Sequence, residues 1–233
     1  LAHIAGTLDF ISRGRLLLAV GVGGAFNDEQ KREWKAAGVS IGKRASRLEE
    51  IVEVLKGLGA GKSVSLEGQH FNLESVAMKP ANVQPGGVPI LIACHHRANT
   101  DAQFKRAARL GDGIIGISDS PEEYAEVIKK VNHYAGEAGR NPKDMESIFY
   151  MTVNLSQDRV VAKQEAEKYL TNYYGVNIWG DRWGPFGPPQ LAVDRIHQYS
   201  EAGAQTIVVR FASPSQEKQL ETFLSEVVPS IAR

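Results

Sequence analysis

In 233 residues the chain has a single cysteine, Cys94, which excludes an internal disulfide framework and a multi-thiolate metal site and fits a reducing compartment. It also lacks a surplus of either charge. Lys plus Arg and Asp plus Glu number 27 each, so neither a basic nucleic-acid-binding face nor an acidic disordered tail is indicated. Apolar runs are short: none approaches about 18 residues, and nothing at the start reads as a signal peptide, so no membrane span is expected. Internal repeats and low-complexity segments are missing as well. These absences leave a soluble, cytoplasmic protein with a small or neutral partner. With 42% hydrophobic residues, the expectation is one domain with one substantial core over residues 1–233.

What is present is an alternation. The chain opens with Leu1 instead of Met, and Leu1, Ile4, Ala5, Leu8 and Ile11 already follow helical spacing. Gly14 suits the left-handed residue that ends such a helix. Nearly unbroken apolar runs, of the kind found in strands buried on both faces, follow at Leu16 to Val22, Val88 to Ala93, Gly113 to Ile117, Ile148 to Leu155 and Thr206 to Phe211. Between and after them lie amphipathic stretches at Arg44 to Leu58, Thr100 to Leu110, Pro121 to Ala138, Val161 to Tyr174, Leu191 to Ala202 and Gln216 to Ile231. Ser120-Pro121-Glu122-Glu123 sets an N-cap, an N1 proline and first-turn carboxylates in order. Ser63 to Leu73 reads as a small hairpin. Alternating strands and helices predict βαβ crossovers and a parallel sheet, either a complete doubly wound sheet or five-eighths of a barrel; the pattern leaves both open.

Two segments favour the barrel by resemblance. Leu8-Asp9, Ser12-Arg13-Gly14-Arg15, the apolar run Leu16 to Val20 and Gly21-Val22-Gly23, followed by Glu33-Trp34 and Arg44-Ala45-Ser46-Arg47-Leu48-Glu49-Glu50, form the first. The second runs from Glu67-Gly68-Gln69-His70-Phe71 through Lys79-Pro80 and Pro85-Gly86-Gly87-Val88-Pro89 to Ala107-Ala108-Arg109-Leu110-Gly111-Asp112-Gly113. Gly187-Pro188-Pro189 and Ala202-Gly203-Ala204 continue the series. As an ordered set they resemble the bacterial luciferase-like family of flavin- or deazaflavin-dependent oxidoreductases. That resemblance implies an α/β fold, a (β/α)8 TIM barrel of the luciferase-like type, represented here by about strands four to eight. A barrel takes ~250 residues, roughly 30 per βα unit, so about 90 residues are expected before Leu1.

Barrel active sites lie at the C-terminal ends of the strands, which selects particular loops. Gly21, Gly23 and Gly24 end the first strand here, where missing side chains would let a flat isoalloxazine ring approach the backbone. The family's arginine or glutamate near this point is not matched, because Gly24 stands there. Cys94, His95, His96, Arg97, Ala98 and Asn99 precede a helix N-terminus, a place that attracts anions, and by resemblance this is about where the flavin phosphate binds. Arg97 and either histidine could add charge-assisted hydrogen bonds. Consecutive histidines diverge, so no metal is expected. Trp179, Arg182, Trp183 and Phe186 form an aromatic, glycine-rich stretch near the family's substrate lid; Trp179, Trp183 and Phe186 are the substrate-binding candidates, with packing of the lid itself as an equal explanation. Arg210 and Phe211 either line the cavity or belong to the barrel wall. His197 is read as structural or exposed, and Gly59-Ala60-Gly61-Lys62-Ser63 is rejected as a phosphate loop because Lys56 holds the earlier glycine position. No catalytic residue is named.

The resemblance implies reduced FMN, or an 8-hydroxy-5-deazaflavin coenzyme in its place, with the cofactor carrying the redox step and the protein supplying orientation and exclusion of water. The leading expectation is a luciferase-like monooxygenase using reduced FMN and oxygen on a small organic substrate. A deazaflavin-dependent hydride-transfer reductase is the rival enzyme, and a non-catalytic flavin-binding paralogue the rival from another class. A homodimer is expected from the family.

Overall fold

The computed structural model describes residues 1–98, 100–176 and 180–231. Along the first half run α1 (Ala2–Ser12), β1 (Leu18–Val20), α2 (Asp28–Ala36), α3 (Arg44–Gly59), β2 (Val64–Glu67), β3 (Asn72–Val76), β4 (Ile90–Ala93) and α4 (Ala102–Leu110). Then come β5 (Gly113–Ile117), α5 (Pro121–Glu137), β6 (Glu146–Leu155), α6 (Arg159–Tyr174), β7 (Phe186–Gly187), α7 (Pro189–Glu201), β8 (Thr206–Phe211), α8 (Gln216–Thr222) and α9 (Val228–Ile231). The five apolar runs are the strands β1, β4, β5, β6 and β8. Two elements were not expected: α2, which is too polar for an apolar stripe, and the two-residue β7. A single helix was expected over Gln216 to Ile231. It is instead divided by a π turn at Phe223–Val227, because Pro229 has no N–H and its ring needs room at the carbonyl four residues back.

The chain divides into two compact units. The first comprises Leu1–Ala93, Asp101–Ile114 and Val131–Glu146. In it β1 runs parallel to β4, with Leu18 opposite Ile90 and Val20 opposite Ile92. The start of β5 lies beside β4 through Asp112 N–H on the Ile90 carbonyl, 2.7 Å. Asp112 turns its side chain to the same end: Oδ2 accepts from Ile90 N–H at 2.8 Å and Oδ1 from Lys56 at 2.6 Å. Val52, Ile90, Leu91, Ile92, Phe104 and Ala107 are the buried core.

Helix α1 is held differently from what its apolar spacing suggests. Leu1, Ile4, Leu8, Phe10 and Ile11 are exposed, and the buried positions are Ala5 and Asp9. The Asp9 carboxylate accepts from the backbone N–H of Val83 (2.8 Å) and Gln84 (3.1 Å) and from Gln84 Nε2 (2.8 Å). The helix stops as expected, with Gly14 at φ 77°, and Arg13 before it is left-handed too, at φ 57°. The β2–β3 hairpin is antiparallel and is tied to α3 by Glu50, which accepts from the backbone N–H groups of Gln69, His70 and Phe71. Burial works against the Glu50 charge, but those three N–H groups outweigh it and hold its carboxyl below the usual value.

The second unit comprises Cys94–Thr100, Ile115–Lys130 and Ser147–Arg233. Its long strand β6 runs parallel to β8 from Ile148 opposite Thr206 to Val153 opposite Phe211, and its end pairs with β7. At its centre Phe149 stacks on Tyr199 with centroids 3.7 Å apart, and Tyr124 meets both edge-on. Such geometry suits the quadrupoles of aromatic rings. The start of α5 carries the predicted cap with a reciprocal bond: Glu123 N–H donates to Ser120 Oγ (3.2 Å), and Ser120 N–H donates to Glu123 Oε2 (2.9 Å). Among the described residues no helix is long and apolar enough to cross a membrane.

Candidate functional site

The loop after β1 carries Gly21, Gly23 and Gly24. Gly23 is left-handed at φ 76°, and a Cβ there would lie 2.5 Å from the Trp34 ring; one at Gly24 would lie 2.6 Å from the Phe26 ring. The room that Gly23 and Gly24 leave is therefore filled by Trp34 of α2 and Phe26 of the loop, while Gly21 faces Ala93. Helix α2 brings Trp34 into place: Asn27 caps it by accepting from Gln30 N–H, and Trp34 Nε1 donates to the Gly24 carbonyl at 2.6 Å. Arg44 reaches across to the Gly23 carbonyl (2.6 Å) and lies over the Trp34 ring at 5.5 Å. A flat ligand approaching this loop meets Trp34 and Phe26, not bare backbone.

The loop after β4 lies in the second unit. Cys94 is fully buried, and its N–H donates to the Ile115 carbonyl of β5. His96 N–H donates to Asp119 Oδ2 at 3.0 Å, and Ala98 N–H to the His95 carbonyl at 3.4 Å. Three of the loop's backbone donors are thus spent within the chain. Arg97, 63% exposed, reaches Glu123 at 3.2 Å. Asn99 and Trp179 lie outside the described residues.

Glu123 is the centre of this region. It pairs with Arg97 and Arg182, and His96 Nδ1 stands 3.9 Å away. Burial opposes its charge, but the hydrogen bond from Arg182, the N–H of Ser120 and the bond from Arg97 outweigh that and hold the carboxyl down at about 2. The neighbouring Asp119 goes the other way. It is 2% exposed, and burial pushes its carboxyl up despite the His96 N–H and the facing His95; the nearby Glu123 adds to the rise, and Arg182, 3.7 Å away, opposes it. The Tyr199 hydroxyl donates to the Asp119 carbonyl at 2.6 Å. Arg97 offers an arriving anion its positive charge. An exposed Arg–carboxylate pair is weak and exchanges readily, so the anion would share Arg97 with Glu123. What positive charge this loop offers is carried by the Arg97 side chain, since its backbone N–H groups at Cys94, His96 and Ala98 are used within the chain.

Trp183 and Phe186 line a cavity of about 490 Å3 together with Arg159, Lys163, Leu191 and Arg195. Trp183 is 4% exposed, set in a cluster with Ala166, Leu170 and Ala212, against which Phe186 also packs. Arg210 stands 4.7 Å over its ring. Asp119, Glu123 and Tyr199 were missed as members of the site. Glu123 was visible only as a helix-start carboxylate, and nothing in the sequence announced the other two.

Parallel strands joined by helices, with polar and aromatic side chains in the loops that follow the strands, define the class as an α/β protein. The chain belongs to the luciferase-like monooxygenase family, whose model matches residues 1–178, and it has that family's TIM-barrel fold. It is similar to the 5,10-methylenetetrahydromethanopterin reductase of Archaeoglobus fulgidus, at 22% identity over 99% of this chain and 78% of that protein. The F420-dependent glucose-6-phosphate dehydrogenase of Mycolicibacterium fortuitum is 25% identical over 100% of this chain and 74% of its own length. Among solved structures, an F420-dependent secondary alcohol dehydrogenase, solved with an F420-acetone adduct, superposes with a TM-score of 0.81 at 21% identity, over 99% of this chain and 74% of that one. The protein is an oxidoreductase of this family.

Proposed function

We propose that the protein transfers a hydride between an F420-type deazaflavin and a small organic molecule. The observation that carries this reading is the match, over 100% of this chain and 74% of the relative's own length, to an enzyme whose name specifies F420; the expectation of FMN and oxygen has the family's description and a solved monooxygenase of similar fold in its favour. Bound, the deazaflavin would supply two-electron hydride chemistry. The chain's own part is binding and orientation. Arg97, with His95 and His96, faces the cofactor's anionic end; Glu123, charged at any ordinary pH, keeps Arg97 and Arg182 oriented until that anion arrives.

The test is an anaerobic titration of the purified protein with F420 and, separately, with FMN, followed by oxygen uptake with reduced FMN. Saturable F420 binding, weakened about tenfold by Arg97→Ala as expected for loss of a charge-assisted bond, and no oxygen uptake are the expected results. FMN binding with oxygen consumption, and no F420 binding, would overturn the proposal in favour of the monooxygenase.

A further inference from the structure

Arg210, near the C-terminal end of β8, is half-buried, and among the described residues no carboxylate pairs with it. Its hydrogen bonds all go to neutral hydroxyls. Nε and Nη2 donate to Thr152 Oγ1, directly across on β6, at 3.2 and 2.9 Å. Nη1 donates to the Tyr174 hydroxyl at 2.7 Å. Around the guanidinium stand four rings: Trp183 at 4.7 Å, Tyr150 at 5.2 Å, Tyr174 at 5.5 Å and Tyr173 at 5.9 Å.

Cation–π contact offsets part of the desolvation of such a charge, but it leaves the charge uncancelled. The contrast within the same unit is sharp, since Arg97 and Arg182 share Glu123. A guanidinium has five N–H groups. Three are used here, and the two that remain are one on each terminal nitrogen. A carboxylate accepts from both terminal nitrogens at once, through two parallel bonds. The flanking rings are packed on one another, Tyr174 stacked on Trp183 and Tyr173 on Tyr169, and make a flat-sided aromatic surround for the guanidinium, a setting that suits a planar ligand.

We infer that Arg210, ringed by Tyr150, Tyr173, Tyr174 and Trp183, anchors the carboxylate of a planar organic acid, and that such acids are the substrate class of the enzyme. As a statement about substrate it rests on the oxidoreductase reading above; as an anion site it stands on the geometry alone. Thr152 and Tyr174 hold the guanidinium in place before the ligand arrives, which lowers the ordering cost of binding.

The experiment uses the full chain and 2-naphthoate, followed by tryptophan fluorescence and calorimetry, with 2-naphthamide as the uncharged isostere. Saturable naphthoate binding is expected, with the amide at least tenfold weaker, the ratio that a charge-assisted bidentate pair supports. Arg210→Lys keeps the charge and loses the fork, so it should weaken naphthoate at least tenfold and leave the amide and F420 titrations unchanged. The inference is overturned if wild-type protein fails to bind naphthoate or binds acid and amide alike, a comparison that needs no variant to fold. It is also overturned if Arg210→Lys binds naphthoate as tightly as wild type. Failure of F420 binding with the naphthoate result intact removes the proposed cofactor and leaves the anion site standing; the reverse pattern does the opposite.

Discussion

Asp9 in the first compact unit and Arg210 in the second are both charged groups drawn out of full solvation, and they are treated in opposite ways. Asp9, fully buried, accepts three hydrogen bonds, two of them from backbone N–H groups of the segment it holds. Its lone pairs are committed to architecture. Arg210 is bonded to two hydroxyls that orient it without neutralising it. Between these extremes lies Glu123, which neutralises two arginines and caps a helix at once. The difference teaches how to sort charged residues near strand ends. A group satisfied by backbone is a fastening, whereas one oriented by neutral partners has its charge in reserve.

If Asp9 is a fastening, its removal should be costly. Asp9→Ala leaves two backbone donors without their acceptor and should lower unfolding free energy by roughly 2–4 kcal/mol, read from urea denaturation; a loss well under that would place the residue with Arg210 instead. Tyr199→Phe deletes only the hydroxyl that donates to the Asp119 carbonyl. A loss of about 1–2 kcal/mol is expected, and unchanged thermal stability would show that bond to be dispensable.

Glu123 sharpens the comparison through pH. Its folded carboxyl is held at about 2, against an ordinary 4.5. The stability it contributes is therefore present above about 4.5 and is lost as pH falls from there toward about 2. Melting temperature against pH for wild type and Glu123→Gln should differ above that window and converge within it; parallel curves would refute the assignment. The smallest effect is expected at His197, exposed in the middle of α7. His197→Ala should change stability by no more than about 0.5 kcal/mol, and a larger loss in the same denaturation series would reveal a partner for it.

The strands were readable because each is an unbroken apolar run, a signal that survives without knowledge of partners. The cap at Ser120 was readable because its parts lie within four residues. Glu123's second duty was not, since Arg97 and Arg182 stand 26 and 59 residues from it in sequence. The surroundings of Arg210 were hidden for the same reason: Thr152 is 58 residues away and Tyr174 is 36. Helix α2 escaped because its residues are nearly all polar, so that periodicity had nothing to report; its Asn27 cap was the one local sign. For α1 the periodicity was right about the helix, while the role of Asp9 was hidden because its partners Val83 and Gln84 stand 74 and 75 residues away. The glycines after β1 were readable as a strand-end loop, but that Trp34 and Phe26 take up their space depends on α2.

At the far end of β6 the Gln219 carboxamide accepts from Leu155 N–H at 2.7 Å and donates to the Leu155 carbonyl at 3.0 Å. These are the two bonds a continuation of the neighbouring parallel strand would make, supplied where β8 has already finished. The side chain acts as a stopper: it uses up the last pairing position on that side, so a stray extended segment from another molecule finds no vacant rung there. The Leu155 amide should accordingly exchange its hydrogen as slowly as those inside the ladder.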